Sequence, residues 1–144
     1  MTSSDEPIFP DAGDGQPVDV TGHPSLPATI ARLVEGQLYG VLCTQGEGQA
    51  YGSLVAYAFT GDLRHAVFAT PTATRKYRLL SLNDHVALLI DDRPDHRGEL
   101  MRVQAVTLTG RAHEVARGPE YERYADLLTA RHPQLRTFVR AESC

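Results

Sequence analysis

Residues 68–80 read FATPTATRKYRLL, and the character of this stretch changes half-way through. A β-type run ends at Thr70, a proline and two further threonines follow, and leucines then recur at helical spacing after Arg75 and Lys76. Thr74 stands just before the helical pattern, where a side-chain oxygen can accept a hydrogen bond from a free backbone N–H group. The stretch therefore predicts a strand, a short connection and a capped helix.

The start of this predicted helix also has the chemistry of a phosphate site. The first N–H groups of a helix lack internal partners and the helix dipole is positive there, so an anion gains hydrogen bonds and a favourable field together. Hydroxyl groups of Thr72 or Thr74 are further donors, Arg75 offers a planar fork for phosphate oxygens, and Lys76 adds a compact charge. The alternative is a threonine cap followed by two solvated cations, which local spacing by itself favours.

The residues before this stretch predict strands. Three β-rich runs, LYGVLCT (38–44), AYGSLVAYAF (50–59) and HAVFAT (65–70), are separated by the turn sequences QGEG and TGD. Three consecutive antiparallel strands follow from this order. In the second run one face carries Tyr51, Ser53, Val55, Tyr57 and Phe59, and the other is mostly small, so a ligand or a neighbouring helix could approach the small face closely.

The residues after the stretch complete the predicted fold. HVALLIDDR (85–93) and LMRVQAVTLTGRAHEV (100–115) read as two more strands, which makes five. A helix is predicted from PEYERYADLLTARH (119–132), with a further helical turn or two in QLRTFVR. A short helix before the first strand begins after Ser25 as N-cap and ends at Gly36. Strands in a row with peripheral helices predict an α+β fold built on an antiparallel barrel.

Composition places the chain among single-domain proteins. It has 144 residues, 42% of them hydrophobic, which suits one core. Residues 1–24 are rich in acidic residues and proline and predict a flexible arm, followed by one domain over residues 25–144. The net charge of −4 argues against nucleic acid as a partner. No apolar run is long enough to span a membrane, and Cys43 and Cys144 form no CxxC motif, so we expect a cytoplasmic protein.

Other candidate motifs are weaker. The stretch GEGQAYG (46–52) lacks the G-x-G-x-x-G spacing of a dinucleotide loop and leads into a strand, so a hairpin turn is the better interpretation. The histidines never fall at metal-ligand spacing, and no metal site is predicted. Asp91 and Asp92 read as turn residues rather than a catalytic pair. Tyr51, Tyr57 and Cys43 could line a pocket, although such strand residues are more often core.

Taken together, GSLVAYAF (52–59), FATPTATRKYRLL (68–80) and HVALLIDDR (85–93) resemble the flavin-binding split-barrel family related to pyridoxamine 5'-phosphate oxidase. The similarity runs from about residue 28 to the last residue. Its most specific element is the strand ending in Ala69 and Thr70, followed by T-x-x-x-T-R-K at a helix start. In its barrel context this element reverses the local preference and favours the phosphate interpretation.

The resemblance implies a homodimer of six-stranded split barrels with FMN in clefts at the subunit interface. It implies main-chain contacts to the isoalloxazine ring from Ser53, Leu54 and Val55. It also implies that Thr70, Arg75 and Lys76 hold the ribityl phosphate, with Ala69 and Thr74 as further cofactor-binding residues. The family's glutamine on a later strand corresponds by position to Ala105, and Gln104, one residue away, is the nearest candidate ring contact. Relatives continue into a final strand after the position of FVRAESC (138–144), so a sixth strand is expected to be missing here.

The function that the resemblance implies is an FMN-dependent oxidoreductase acting on a small molecule, with catalytic residues left unassigned because the flavin carries the redox chemistry. Two alternatives stay open. One is a relative that binds the deazaflavin F420 or heme, since split barrels host both. The other is a flavin-binding module without catalysis. No nucleic-acid or membrane partner is expected.

Overall fold

The computed structural model describes residues 26–144. The predicted arm over residues 1–24 and the predicted cap at Ser25 lie outside this range. In chain order the elements are α1 (Leu26–Gly36), β1 (Tyr39–Gly46), β2 (Gln49–Ala56), β3 (Ala58–Phe59), β4 (Ala66–Val67), α2 (Arg75–Leu82), β5 (His85–Asp91), β6 (Ala105–Arg111), α3 (Pro119–Arg131) and α4 (Arg136–Val139). Short 3-10 turns lie at Arg93–Asp95, Leu100–Arg102 and Pro133–Leu135.

The strands form two antiparallel sheets. The larger has the order β2-β1-β5-β6, and β3 and β4 pair separately. A two-residue turn joins β1 to β2, with Gly46 opposite Gln49 and positive φ angles of 56° at Glu47 and 74° at Gly48. Such angles match the right-handed twist of the strands they join and favour glycine. The hairpin interpretation of GEGQAYG is therefore confirmed.

The predicted α+β fold, an antiparallel sheet with peripheral helices, is confirmed. The strand pairing of residues 26–144 leaves β2 and β6 as the two edges of the larger sheet. That sheet packs one face against α1 around Leu33, Val34, Leu42 and Ile90. A second cluster joins the β3–β4 pair to α3 and α4 through buried Ala58, Ala125, Leu128 and Val139.

One predicted strand divides in two. The run 50–59 was expected to be continuous, but β2 ends at Ala56 and β3 begins at Ala58. Tyr57 between them is fully buried, and its hydroxyl lies 2.8 Å from the carbonyl oxygens of both Val34 and Gln37 at the end of α1. Burial of this side chain turns the strand away from β1. The described chain therefore has six strands where five were predicted.

Two other predicted strands are shorter than expected. Of HAVFAT only Ala66–Val67 is paired, and of residues 100–115 only Ala105–Arg111 is strand. Asp92 explains the second difference, because its carboxylate accepts the N–H of Gln104 at 2.7 Å and its own N–H donates to the Gln104 carbonyl at 3.1 Å. These bonds close the connection before β6, so Gln104 precedes the strand instead of lying within it.

The second face of the larger sheet carries exposed side chains in residues 26–144. Residues of β2 alternate, with Val55 4% exposed towards the core and Leu54 67% exposed on the other side. The small-residue face predicted for this run is therefore the outward one. Within residues 26–144 no helix combines the length and the apolar character needed to cross a bilayer.

Candidate functional site

The N terminus of α2 is capped as the sequence predicts. The Thr74 hydroxyl accepts the Tyr77 N–H at 3.2 Å and donates to the Pro71 carbonyl at 2.8 Å. The Thr74 carbonyl accepts the Arg78 N–H at 3.2 Å. The N–H groups of Arg75 and Lys76 have no hydrogen-bond acceptor in the described part of the chain. Two backbone donors at the positive end of a helix are thus available to a ligand.

The threonine hydroxyls around this helix start are already engaged. Thr70 and Thr74 lie 3.0 Å apart, oxygen to oxygen, and share one hydrogen bond. Thr72 donates both its N–H, at 2.8 Å, and its hydroxyl, at 3.4 Å, to the carbonyl of Ser143. The threonines therefore shape the connection, and the donors left for an anion belong to Arg75 and Lys76.

The two cations are held in different ways. Arg75 is exposed, with its guanidinium carbon 4.9 Å from the centre of the Tyr51 ring on β2. Lys76 is half-buried, and the loss of water around its ammonium group lowers the pKa of Lys76. Neither cation has an ion-pair partner within residues 26–144, whereas Arg78, one turn further on, pairs with Glu47 at 3.2 Å. A bound anion would offset the cost of burying the Lys76 charge.

Close packing fixes the position of α2 on the sheet. A side chain at Gly46 would place its Cβ 2.7 Å from the Leu79 side chain, which is 1% exposed in the core. Glycine at this point lets the helix approach β1. An open groove of about 430 Å³ runs along the exposed side of α2, past Thr72, Arg75, Arg78 and Leu82.

The three β2 residues implied as ring contacts lie on an edge strand. Edge strands carry backbone N–H and C=O groups without partners, and these can meet a ligand. Ser53 points to the same side as Val55, and its hydroxyl is buried without a hydrogen-bond partner in the described residues. Leu54 faces the opposite, exposed side. The stacking of Tyr51 on Arg75 joins this strand to the helix start.

Of the remaining predicted cofactor contacts, two lie near the start of α2 and one lies far from it. Ala69 and Thr70 lead into the helix start, and Ala69 packs against the α3–α4 cluster. Gln104 lies elsewhere, with its side-chain oxygen accepting from Arg32 of α1 at 3.4 Å. Since β1 and β5 separate β2 from β6, about 14 Å lies between the two edge strands. A single copy of the chain does not bring Gln104 to the helix start.

The other residues considered from sequence have separate environments. Cys43 is an exposed free thiol, and Cys144 is free and half-buried. Burial raises the pKa of Tyr57 to about 12, against the opposing effect of Arg131, so this phenol is a core group. His132 is buried, with its Nε2 atom 2.8 Å from the Tyr57 carbonyl. The described residues contain no cluster of metal-binding side chains.

Sequence reasoning missed two participants. Tyr51 was considered as a pocket residue only, and its stacking on Arg75 depends on packing of α2 against β1, the neighbour of the strand that carries Tyr51. Ser143 holds Thr72 across a separation of 71 residues. Nothing in the local pattern of either residue could have indicated these contacts.

These residues fit the phosphate end of a flavin nucleotide. In the described part of the chain, two cations without carboxylate partners, two free N–H groups and a positive helix end form the donor set that an anion needs. The edge strand and the unpartnered Ser53 hydroxyl provide polar groups at the neighbouring position.

The chain matches one known protein family. The sequence profile described as pyridoxamine 5'-phosphate oxidase matches residues 26–142. Comparison with curated protein sequences gives no significant match.

Several solved structures share the fold. A heme binding protein from Mycobacterium smegmatis superposes with a TM-score of 0.71 at 22% identity, covering 84% of this chain and 49% of that protein. The heme storage protein HutZ from Vibrio cholerae gives 0.71 at 14% identity, covering 82% of this chain and 84% of that one. A conserved hypothetical protein from Mycobacterium tuberculosis gives 0.63 at 21% identity, covering 78% and 70%. This chain spans about half the length of the M. smegmatis protein, and at these identities the likeness concerns the fold.

Proposed function

Because this chain belongs to the pyridoxamine 5'-phosphate oxidase family, we propose that it binds FMN and acts as an FMN-dependent oxidoreductase on a small organic substrate. The observation that carries the proposal is the pair Arg75 and Lys76. Both are cations without carboxylate partners in the described chain, placed at a helix end whose own dipole disfavours them. A phosphate dianion at this point would satisfy both charges and the two free N–H groups together.

The residues of the chain would bind and orient the cofactor. Arg75 and Lys76 hold the phosphate, and Tyr51 fixes the guanidinium of Arg75. Ser53, Leu54 and Val55 lie along the ring, with the Ser53 hydroxyl as a hydrogen-bonding group. The bound flavin would supply the electron transfer, and no acid or base of the chain is assigned to that step.

We further propose that two copies form a homodimer and that the two sheets of each copy act as a split barrel. The exposed sheet face of residues 26–144 supports this arrangement, since Leu54 and Tyr39 are 67% and 49% exposed there. The free thiols of Cys43 and Cys144 suit action in a reducing cytoplasm.

The experiment that tests FMN binding is charge reversal. The double variant Arg75→Glu with Lys76→Glu should bind FMN at least about 100-fold more weakly, a loss of about 3 kcal/mol, because two charge-assisted contacts become repulsive. The control is Arg97→Glu with Arg123→Glu, which makes the same change in net charge at two exposed positions away from the helix start. Undiminished FMN affinity in the first variant would contradict the proposal.

Heme is the second candidate, because two proteins with this fold are described as heme binding and heme storage proteins. The absorption spectrum of the purified protein distinguishes the two ligands. A flavin double band with release of FMN on denaturation supports the first proposal, and a Soret band supports the second. Reduction of bound flavin by NADH or NADPH, followed by reoxidation in turnover, separates an enzyme from a flavin-binding module.

A further inference from the structure

The connection that leads into α2 is tied to one distant segment. We call residues 69–74 the threonine loop and residues 140–144 the C-terminal segment. The N–H and hydroxyl of Thr72 both donate to the Ser143 carbonyl. Within the described chain, the other hydrogen bonds that the threonine residues of this loop make are local, to Pro71 or within the first turn of α2, apart from a contact of the Thr70 backbone with the Cys144 thiol in the same C-terminal segment. Besides the packing of Ala69 against the α3–α4 cluster, the position of the loop relative to the rest of the fold therefore depends on the C-terminal segment.

Arg117 anchors that segment. Its guanidinium donates to the carbonyls of Ala141 and Cys144, the latter at 3.2 Å, and lies 4.2 Å from the centre of the Tyr121 ring. The Tyr121 hydroxyl in turn donates to the carbonyl of Val139, where α4 ends. Arg117, which precedes α3, thus binds two backbone carbonyls of the C-terminal segment. The same segment contains the Ser143 carbonyl that accepts from Thr72.

We propose that Arg117 is a positioning residue for the phosphate: by fixing the C-terminal segment it holds the threonine loop in the arrangement that presents the start of α2 to a phosphate group. This inference rests on the proposed function. A loop ordered before the ligand arrives spares the ligand the entropy cost of ordering it. Arg117 does not contact the phosphate, and its effect concerns ligands that carry one.

The affinity test compares FMN with riboflavin, which lacks the phosphate. Arg117→Ala should weaken FMN binding about fivefold. This is the factor expected when binding must also immobilise about one further side chain of the loop. Riboflavin affinity should change by less than about twofold, because its ring contacts lie on β2. Arg117→Lys, which keeps the charge and one donor, should recover part of the loss. Equal losses for the two ligands would overturn the proposal.

The matched control is Arg123→Ala. Arg123 also lies over a tyrosine, 5.1 Å from the Tyr124 ring, but its only ion pair in the described chain is with Glu120 on the same helix. This variant should leave the ratio of FMN to riboflavin affinity unchanged. A shift as large as that of Arg117→Ala would show a general effect of removing an arginine from this region and would overturn the positioning role.

Amide hydrogen exchange tests, without any ligand, whether Arg117 stabilises the hydrogen bond between Thr72 and Ser143. The Thr72 N–H should exchange about tenfold faster in Arg117→Ala than in the unsubstituted protein, because its acceptor on Ser143 is no longer held. Unchanged exchange would overturn the inference, and Arg117→Lys carries the comparison if the alanine variant does not fold. Failure of the unsubstituted protein to bind FMN would instead overturn the proposed function, which keeps the two failures distinct.

Discussion

Two arginines of this protein lie over tyrosines of the same run, residues 50–59, but at opposite ends of helices. Arg131 lies 5.5 Å from the Tyr57 ring centre and donates to carbonyls at the C terminus of α1. Arg75 lies 4.9 Å from the Tyr51 ring centre at the N terminus of α2, where no protein acceptor faces it in the described residues.

The helix end decides what each arginine does. The C terminus of a helix is negative, so Arg131 is stabilised there by the dipole and by the carbonyls of Val34, Glu35 and Gln37. The N terminus is positive, so Arg75 gains nothing from the dipole and keeps its donors free. The arginine–tyrosine pair at Tyr57 therefore stabilises the fold, whereas the pair at Tyr51 leaves a position for an anion.

The largest expected effect is on the structural member of the pair. Arg131→Ala should lower the free energy of unfolding by about 3 kcal/mol, because several carbonyls lose a charged donor and a partly buried side chain is removed. Urea unfolding measures this loss, with Arg123→Ala as the exposed control at less than about 0.5 kcal/mol. A loss no greater than that of the control would remove the contrast between the two arginines.

The next largest effect is expected for Arg75, the arginine proposed to face the ligand. Arg75→Ala should weaken FMN binding about tenfold, or about 1.4 kcal/mol, while the free energy of unfolding stays the same or rises slightly. Titration of the protein with FMN and urea unfolding of the ligand-free protein give the two numbers. Marked destabilisation without ligand would mean that Arg75 is a structural residue like Arg131.

A smaller effect is expected for the tyrosine beside Arg131. Tyr57→Phe should cost about 1 kcal/mol at neutral pH, since the hydroxyl near the Val34 and Gln37 carbonyls is lost. Burial raises the pKa of Tyr57 from 10.0 to about 12, so the unfolded chain loses this proton first as pH rises. The stability that Tyr57 contributes is fully present below pH 10 and is lost between pH 10 and 12. Unfolding of both proteins across this range should show the advantage of tyrosine disappear, and a constant difference would contradict the assignment.

The smallest effect is expected for the tyrosine beside Arg75. Tyr51→Leu should weaken FMN binding two- to threefold, or about 0.5 kcal/mol, because Arg75 loses the aromatic face that orients it. Tyr51→Phe keeps that face and should bind FMN as the unsubstituted protein does. If both variants lose affinity equally, the hydroxyl rather than the ring carries the effect.

Much of the local structure followed from local patterns. The cap at Thr74, the hairpin around Glu47 and Gly48, and the start of α3 at Pro119 depend on neighbouring residues alone, and all were predicted. The break in the strand at Tyr57 was not, because it depends on hydrogen bonds to carbonyls of α1 more than 19 residues away. The prediction that Gln104 lies within the last strand was wrong for the same reason. The carboxylate of Asp92 accepts the Gln104 N–H, and the strand begins only after this residue.

By itself, the sequence determined the antiparallel α+β fold and the helix start where Arg75 and Lys76 stand, because periodicity, capping and turn chemistry act over a few residues. The family followed from the resemblance of residues 52–59, 68–80 and 85–93 to known split-barrel sequences. Only the tertiary structure decided which cationic side chains have N–H groups that no carbonyl of the described chain accepts. Arg131 and Arg75 look alike in the sequence, and they differ because folding brings carbonyls to one and leaves the positive end of α2 beside the other. The tie between Thr72 and Ser143 was likewise a product of folding, since a hydrogen bond between segments 71 residues apart leaves no local pattern to read.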